Sequence, residues 1–182
     1  MRNLCWILGY FILSLCIIPC QAALFINEIL ADADDEDEYF TNLDWVELYN
    51  SSRDSVDLTG YYLSDDPDNP QKWLIGPTTI EPLGYLYFYT TGYDLYGPGP
   101  FHTNFRLDKE GESVLLSSPD GALIDSVTFP QQFEEISYGR REDGAKTWGF
   151  FLDPTKGTKN NTQWVEGFVS APSVSVQGGV YS

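Results

Sequence analysis

Residues 32–38 read Asp-Ala-Asp-Asp-Glu-Asp-Glu, six acids in seven positions. Hard cations prefer oxygen ligands, and Ca²⁺ takes about six to eight of them from a flexible loop. Like charges packed this closely repel, and a divalent ion relieves the repulsion. Asp32, Asp34, Asp35, Glu36 and Asp37 are therefore candidate calcium ligands, with Asp32, Asp34 and Glu36 alternating as the early ligands of a calcium loop do. The glycine at the sixth position and the glutamate at the twelfth, which make the EF-hand pattern specific, are absent. The competing reading is a solvated loop between the first two strands. No other cofactor is expected.

Other chemistry is narrowly bounded. The three cysteines, Cys5, Cys16 and Cys20, all lie in the first twenty residues. If that segment is removed, the rest has no disulfide framework, thiolate metal site or cysteine nucleophile. His102 is the sole histidine and has no G-x-S-x-G elbow near it. Residues 97–100, Gly-Pro-Gly-Pro, are stiffened by proline and lack the Lys-Ser/Thr of a phosphate loop. A glycosidase needs two carboxylates at defined separation, one with a raised pKa, and acids crowded into a loop do not supply that. Lys and Arg number 10 against 27 Asp and Glu, a formal charge of -17. A body this acidic is not expected to bind nucleic acid or anionic lipid.

The tyrosines offer a second binding idea. Tyr85, Tyr87 and Tyr89 share one side of an alternating run, and Tyr61, Tyr62, Tyr93 and Tyr96 lie near Gly- and Pro-rich loops. Exposed rings stack on the apolar faces of sugars and suit interfaces. The alternative is that they cover neighbouring strands. Asn50 and Asn160 each open a glycosylation sequon, which matters only in a eukaryotic secretory host.

The elements that must position these groups are strands. Alternation predicts them over 24–30, 44–50, 56–63, 72–75, 84–90, 112–117, 122–129, 136–140 and 147–152. In the second, Trp45, Glu47 and Tyr49 point one way and Val46 and Leu48 the other. Ser118-Pro119-Asp120-Gly121 between two runs reads as a hairpin turn. Many short strands without helical crossovers predict an all-β fold, an antiparallel β-sandwich or barrel.

The chain opens with Arg2, an apolar run over 4–18, and Pro-Cys-Gln-Ala at 19–22. This describes a secretory signal peptide, residues 1–22, cut after Ala22. The run is short for a membrane-spanning helix, which needs about 20 apolar residues. A lipid anchor on Cys20 and a retained membrane anchor are the rivals. The expected organisation is a signal at 1–22, one domain at 23–161, and a linker with the start of a further β module at 162–182. The product is expected to be secreted or held at the cell surface, as the front of a longer protein.

Several landmarks recur in order: Phe25-Ile26-Asn27-Glu28-Ile29, Asp44-Trp45-Val46-Glu47-Leu48-Tyr49-Asn50, the stretch from Val56 through Gly60 to Asp66, Gly111-Glu112-Ser113-Val114, Asp125-Ser126-Val127 and Ser137-Tyr138-Gly139-Arg140. The set resembles the lamin-tail domain as found in secreted bacterial proteins, over about residues 24–161. The resemblance implies an immunoglobulin-like sandwich without catalytic residues of its own. It also implies structural roles for Asn27, Glu28, Trp45, Glu47, Asn50, Gly60, Tyr138, Gly139 and Arg140. In bacteria such domains sit in large exported proteins beside hydrolases, spore-coat kinase-like domains and adhesive β domains. Partners would be other extracellular protein modules or surface polysaccharide, with oligomeric state left open. The alternative is an accessory, carbohydrate-binding domain of an exported hydrolase or kinase-like enzyme. The family's usual Thr-Pro-Gly turn before an Asn is replaced here by the stretch 153–160, which leaves the last strand's register open. The segment after Ala171 resembles the start of a chitobiase C-terminal-type β module.

Glu28 and Glu47 stand out within apolar strands. Either they face solvent, or they accept hydrogen bonds from backbone or Arg140 inside the sandwich, because an unpaired buried carboxylate is costly.

Overall fold

A computed structural model describes residues 24–34, 39–97 and 100–168. The expected signal segment, the module start after Ala171, and the candidate ligands Asp35, Glu36 and Asp37 lie outside the described residues.

Twelve strands form among the described residues, in two main antiparallel sheets. The larger sheet runs in the order β12 (Trp164–Val165), β11 (Trp148–Phe151), β10 (Ser137–Arg140), β1 (Leu24–Leu30), β2 (Trp45–Asn50), β7 (Tyr85–Tyr89). The second sheet is β5 (Trp73–Leu74), β4 (Tyr62–Ser64), β8 (Ser113–Ser117) and β9 (Leu123–Thr128). A short ladder joins β3 (Val56–Asp57) to β6 (Thr79–Ile80).

The alternating apolar residues explain the layering. Ile26, Ile29, Val46, Leu48 and Phe88 from the large sheet meet Leu63, Trp73, Val114, Leu116 and Val127 from the small one in one core. Each such side chain, fully buried, stabilises the fold by about 1.5–3 kcal/mol. Trp45 packs on the opposite face of the large sheet with Leu30 and Ala33, against Tyr87 and Tyr89.

The strand expected over 56–63 is broken in two. Gly60 adopts φ +87° between β3 and β4, a left-handed conformation that suits glycine. Its N–H donates to Ile75 O at 3.2 Å, tying the turn to the residue that follows β5. The hairpin at 118–121 forms as expected, with Ser118 N–H donating to Ala122 O and Gly121 at φ +83°.

The last strands have a definite register: Phe150 pairs with Val165 and Phe151 with Trp164. β12 lies beyond residue 161 and pairs with β11, so the sheet extends through Val165. Between β11 and β12 the chain crosses the outer face of the large sheet as a strap, residues 153–160.

Candidate functional site

Two places collect polar side chains. The first lies under the strap. The β1–β2 ladder shifts register between Ile26 and Glu28, so Asn27 forms a bulge. The extra residue turns Glu28 away from the core face that Ile26 occupies and places it directly opposite Glu47. Both glutamates have no exposed surface. Glu28 accepts hydrogen bonds from the Ser137 and Thr155 hydroxyls and from Thr155 N–H, the last at 2.9 Å. Glu47 accepts from Gly157 N–H at 2.6 Å and from Asn27 Nδ2 at 3.2 Å. Gly157 sits at φ +79°, which brings its N–H onto that carboxylate.

Asn160 closes the strap. Its Nδ2 donates to Arg140 O at 2.6 Å, and its Oδ1 accepts from Asn27 Nδ2 at 3.1 Å and lies 3.0 Å from Thr155 Oγ1. Asp143 joins from the next loop. It accepts from Tyr85 Oη at 2.7 Å, Asn27 Nδ2 at 3.2 Å and Asn160 N–H at 3.1 Å. Burial pushes the Glu47 carboxyl up to about 8, with the negative charges of Glu28 and Asp143 adding to the effect. Burial also raises Glu28, although the Ser137 and Thr155 donors oppose it.

Arg140 does not serve the glutamates. Its Nε donates to Ile26 O at 2.8 Å, one terminal nitrogen donates to Ala145 O, and the other meets Asp125 at 2.8 Å. The guanidinium lies over the Trp148 ring at 4.7 Å and the Phe25 ring at 5.2 Å. Asp125 also accepts from Ile26 N–H at 2.8 Å. Arg140 and Asp125 thus clamp β1 at its bulge.

The remaining landmark residues also have internal contacts. Asn50 donates to Asp54 O at 2.8 Å and Glu81 O at 3.1 Å, and accepts from Ser52 N–H and Oγ. Tyr138 stacks on Trp148 with ring centroids 5.4 Å apart. A Cβ at Gly139 would lie 2.9 Å from Phe151 and 3.0 Å from Glu28 Cγ, so the close crossing beneath Glu28 requires glycine. Both sequon asparagines, Asn50 and Asn160, are buried and engaged.

This arrangement is poorly suited to chemistry on a substrate. A general acid or base must come within hydrogen-bond reach of the proton it moves, and these glutamates have no exposed surface. Patterning alone does not single out Asp143, Thr155 or Gly157, because their partners lie 58 to 127 residues away in sequence.

The second place is a cavity of about 360 Å³ lined by Ala31, Asp32, Asn42, Asp44, Arg106, Leu107, Asp108 and Lys109. Lys109 pairs with Asp32 at 3.2 Å. Asp44 Oδ1 accepts from Ala33 N–H at 2.9 Å, and burial lifts its carboxyl to about 6, with Asp32 adding to the rise. The Arg106 guanidinium lies over the Tyr93 ring at 5.7 Å, and Phe40 approaches that ring to 5.1 Å. Of the calcium candidates, Asp32 lines this cavity, while Asp34 N–H donates to the Glu135 carboxylate. Among the described residues no cluster of three or more acids, histidines or cysteines is arranged to hold a metal ion.

The tyrosine stripe is not an open platform. Tyr85 donates to Asp143, and Tyr87 and Tyr89 sit with Trp45 around Lys156, whose Nζ lies 5.1–5.8 Å from the three ring centroids. Tyr93 and Tyr96 remain about half exposed. His102 is buried beside Thr91 Oγ1 at 3.0 Å.

Two antiparallel sheets enclosing one core, with polar groups spent on internal bonds, define an immunoglobulin-like β-sandwich. Comparison with family models matches residues 20–131 to the Lamin Tail Domain, and the chain belongs to that family. The match ends before β10, yet β10 pairs with β1, and the strap residues bind β1 and β2 directly. No curated protein matches the chain. Among the described residues no helix is long and apolar enough to cross a membrane.

Proposed function

We propose that the chain is a non-catalytic binding or spacing module of a secreted or surface protein, in the manner of the bacterial type it resembles. The observation that carries this reading is the sealing of Glu28 and Glu47. They are the acids that stand within apolar strands, and their oxygens are taken up by Ser137, Thr155, Gly157 and Asn27. The basic, apolar and small-residue pattern of residues 1–22 supports export.

Expression of the whole chain in a secreting host tests the proposal. N-terminal sequencing of the product should begin at Ala23, and the protein should sediment with cell-envelope material. Retention in the cytoplasm with Met1 intact overturns export. Turnover of glycoside, ester or phosphate substrates by the purified chain overturns the non-catalytic assignment.

A further inference from the structure

A cavity whose wall reaches Tyr93 through Arg106 combines donors and acceptors. Its lining mixes carboxylates (Asp32, Asp44, Asp108) with cations (Arg106, Lys109) and the amide of Asn42. Arg106 belongs both to this lining and to the stack on Tyr93, which is 53% exposed. Arg106 therefore links the cavity wall to the Tyr93 ring.

We propose that this cavity and the Tyr93 ring bind the end of an uncharged oligosaccharide. The inference rests on the binding-module reading and specifies its site and ligand class. Each sugar hydroxyl both donates and accepts. A wall that alternates carboxylate with guanidinium, ammonium and amide can serve both roles of neighbouring hydroxyls. The apolar face of a pyranose ring then lies against the exposed part of Tyr93, whose ring is held by Arg106 and Phe40. Other ligand classes fit less well. A cation meets Arg106 and Lys109, and an anion meets three carboxylates within a body of charge -17. A volume of about 360 Å³ stands at the low end of small-ligand sites, which suits a chain end rather than a long stretch of polymer.

The test is calorimetric and NMR titration of the purified chain with cellohexaose, laminarihexaose, xylohexaose, mannohexaose and chitohexaose, with polygalacturonate as the anionic comparison. At least one neutral hexasaccharide should bind with a Kd of about 1 mM or tighter, shifting Tyr93 and Arg106 resonances. Polygalacturonate should bind more weakly. Tyr93→Ala should weaken binding roughly tenfold, and Arg106→Ala should weaken it at least as much. Unchanged melting temperatures would show that both variants remain folded. Absence of binding by all the neutral sugars, preference for polygalacturonate, or undiminished binding in both variants overturns the inference. If the chain still sediments with envelope material in that event, the site assignment fails and the module reading stands. If it neither binds sugars nor sediments, the binding part of that reading fails as well.

Discussion

Glu28 and Glu47 occupy directly opposed positions on β1 and β2, and the strap spanning 153–160 supplies a backbone N–H to each of them. Like charges directly opposite one another destabilise a ladder. Here Thr155 and Gly157, brought over the sheet by the strap, join Ser137 and Asn27 as donors that offset the cost. The strap is therefore part of the sandwich.

This pairing sets a pH dependence. A carboxyl whose folded value stands above its unfolded value binds more protons folded than unfolded between the two, so stability falls as pH rises through that window. For Glu47 the window runs from 4.5 to about 8, for Glu112 from 4.5 to about 7 and for Asp44 from 3.8 to about 6. Asp57 and Asp120 are lowered and act oppositely on acidification, but both are exposed. Calorimetric melting should give a higher Tm at pH 5 than at pH 8, and Glu47→Gln should flatten the decline. A Tm that rises over this interval contradicts the account.

Removing the strap's anchor should be costly while changing its surface should not. Asn160→Ala leaves Arg140 O and the Asn27 amide short of a buried partner. A loss of about 2–4 kcal/mol is expected from urea denaturation. Lys159→Ala, at an exposed position of the same segment, should stay within about 0.5 kcal/mol. Equal effects would mean that the strap contributes nothing at Asn160.

The fold was largely legible and the site only partly so. Alternation places Val46, Leu48 and Phe88 in the core, because a half-buried strand repeats with period two. The same rule cannot foresee the bulge at Asn27, since an extra residue costs the pattern nothing and yet reverses the face of Glu28. β6 and β12, two residues each, are too short to show a period. The covering role of the strap, residues 153–160, is hidden for a different reason. Thr155, Lys156 and Gly157 look like turn residues, and what they cover is set by contacts more than a hundred residues distant. The cavity likewise joins Asp32, Asp44 and Arg106, which no local pattern connects.

Arg140 should resist conservative replacement. Its guanidinium is clamped between Trp148 and Phe25 and donates to Asp125 and to Ile26 O. Lysine has neither the planar fork nor the stacking surface. Arg140→Lys should cost at least about 2 kcal/mol, and Arg140→Met about 3–5 kcal/mol because Asp125 is left half-sealed without its partner. In a double-mutant cycle, Arg140→Met with Asp125→Asn should cost less than the sum of the single changes. Simple additivity would show that the two residues do not act together.

Glu28 and Glu47, the two acids set within apolar strands, hold the sandwich together and are closed to any substrate. Carbodiimide coupling of a small amine to the native chain, mapped by mass spectrometry, tests this directly. The account predicts labelling of exposed acids such as Asp57 and Asp120 in the native protein, with Glu28 and Glu47 labelled only after unfolding. Labelling of Glu28 and Glu47 in the folded chain at the rate of the surface acids would contradict it.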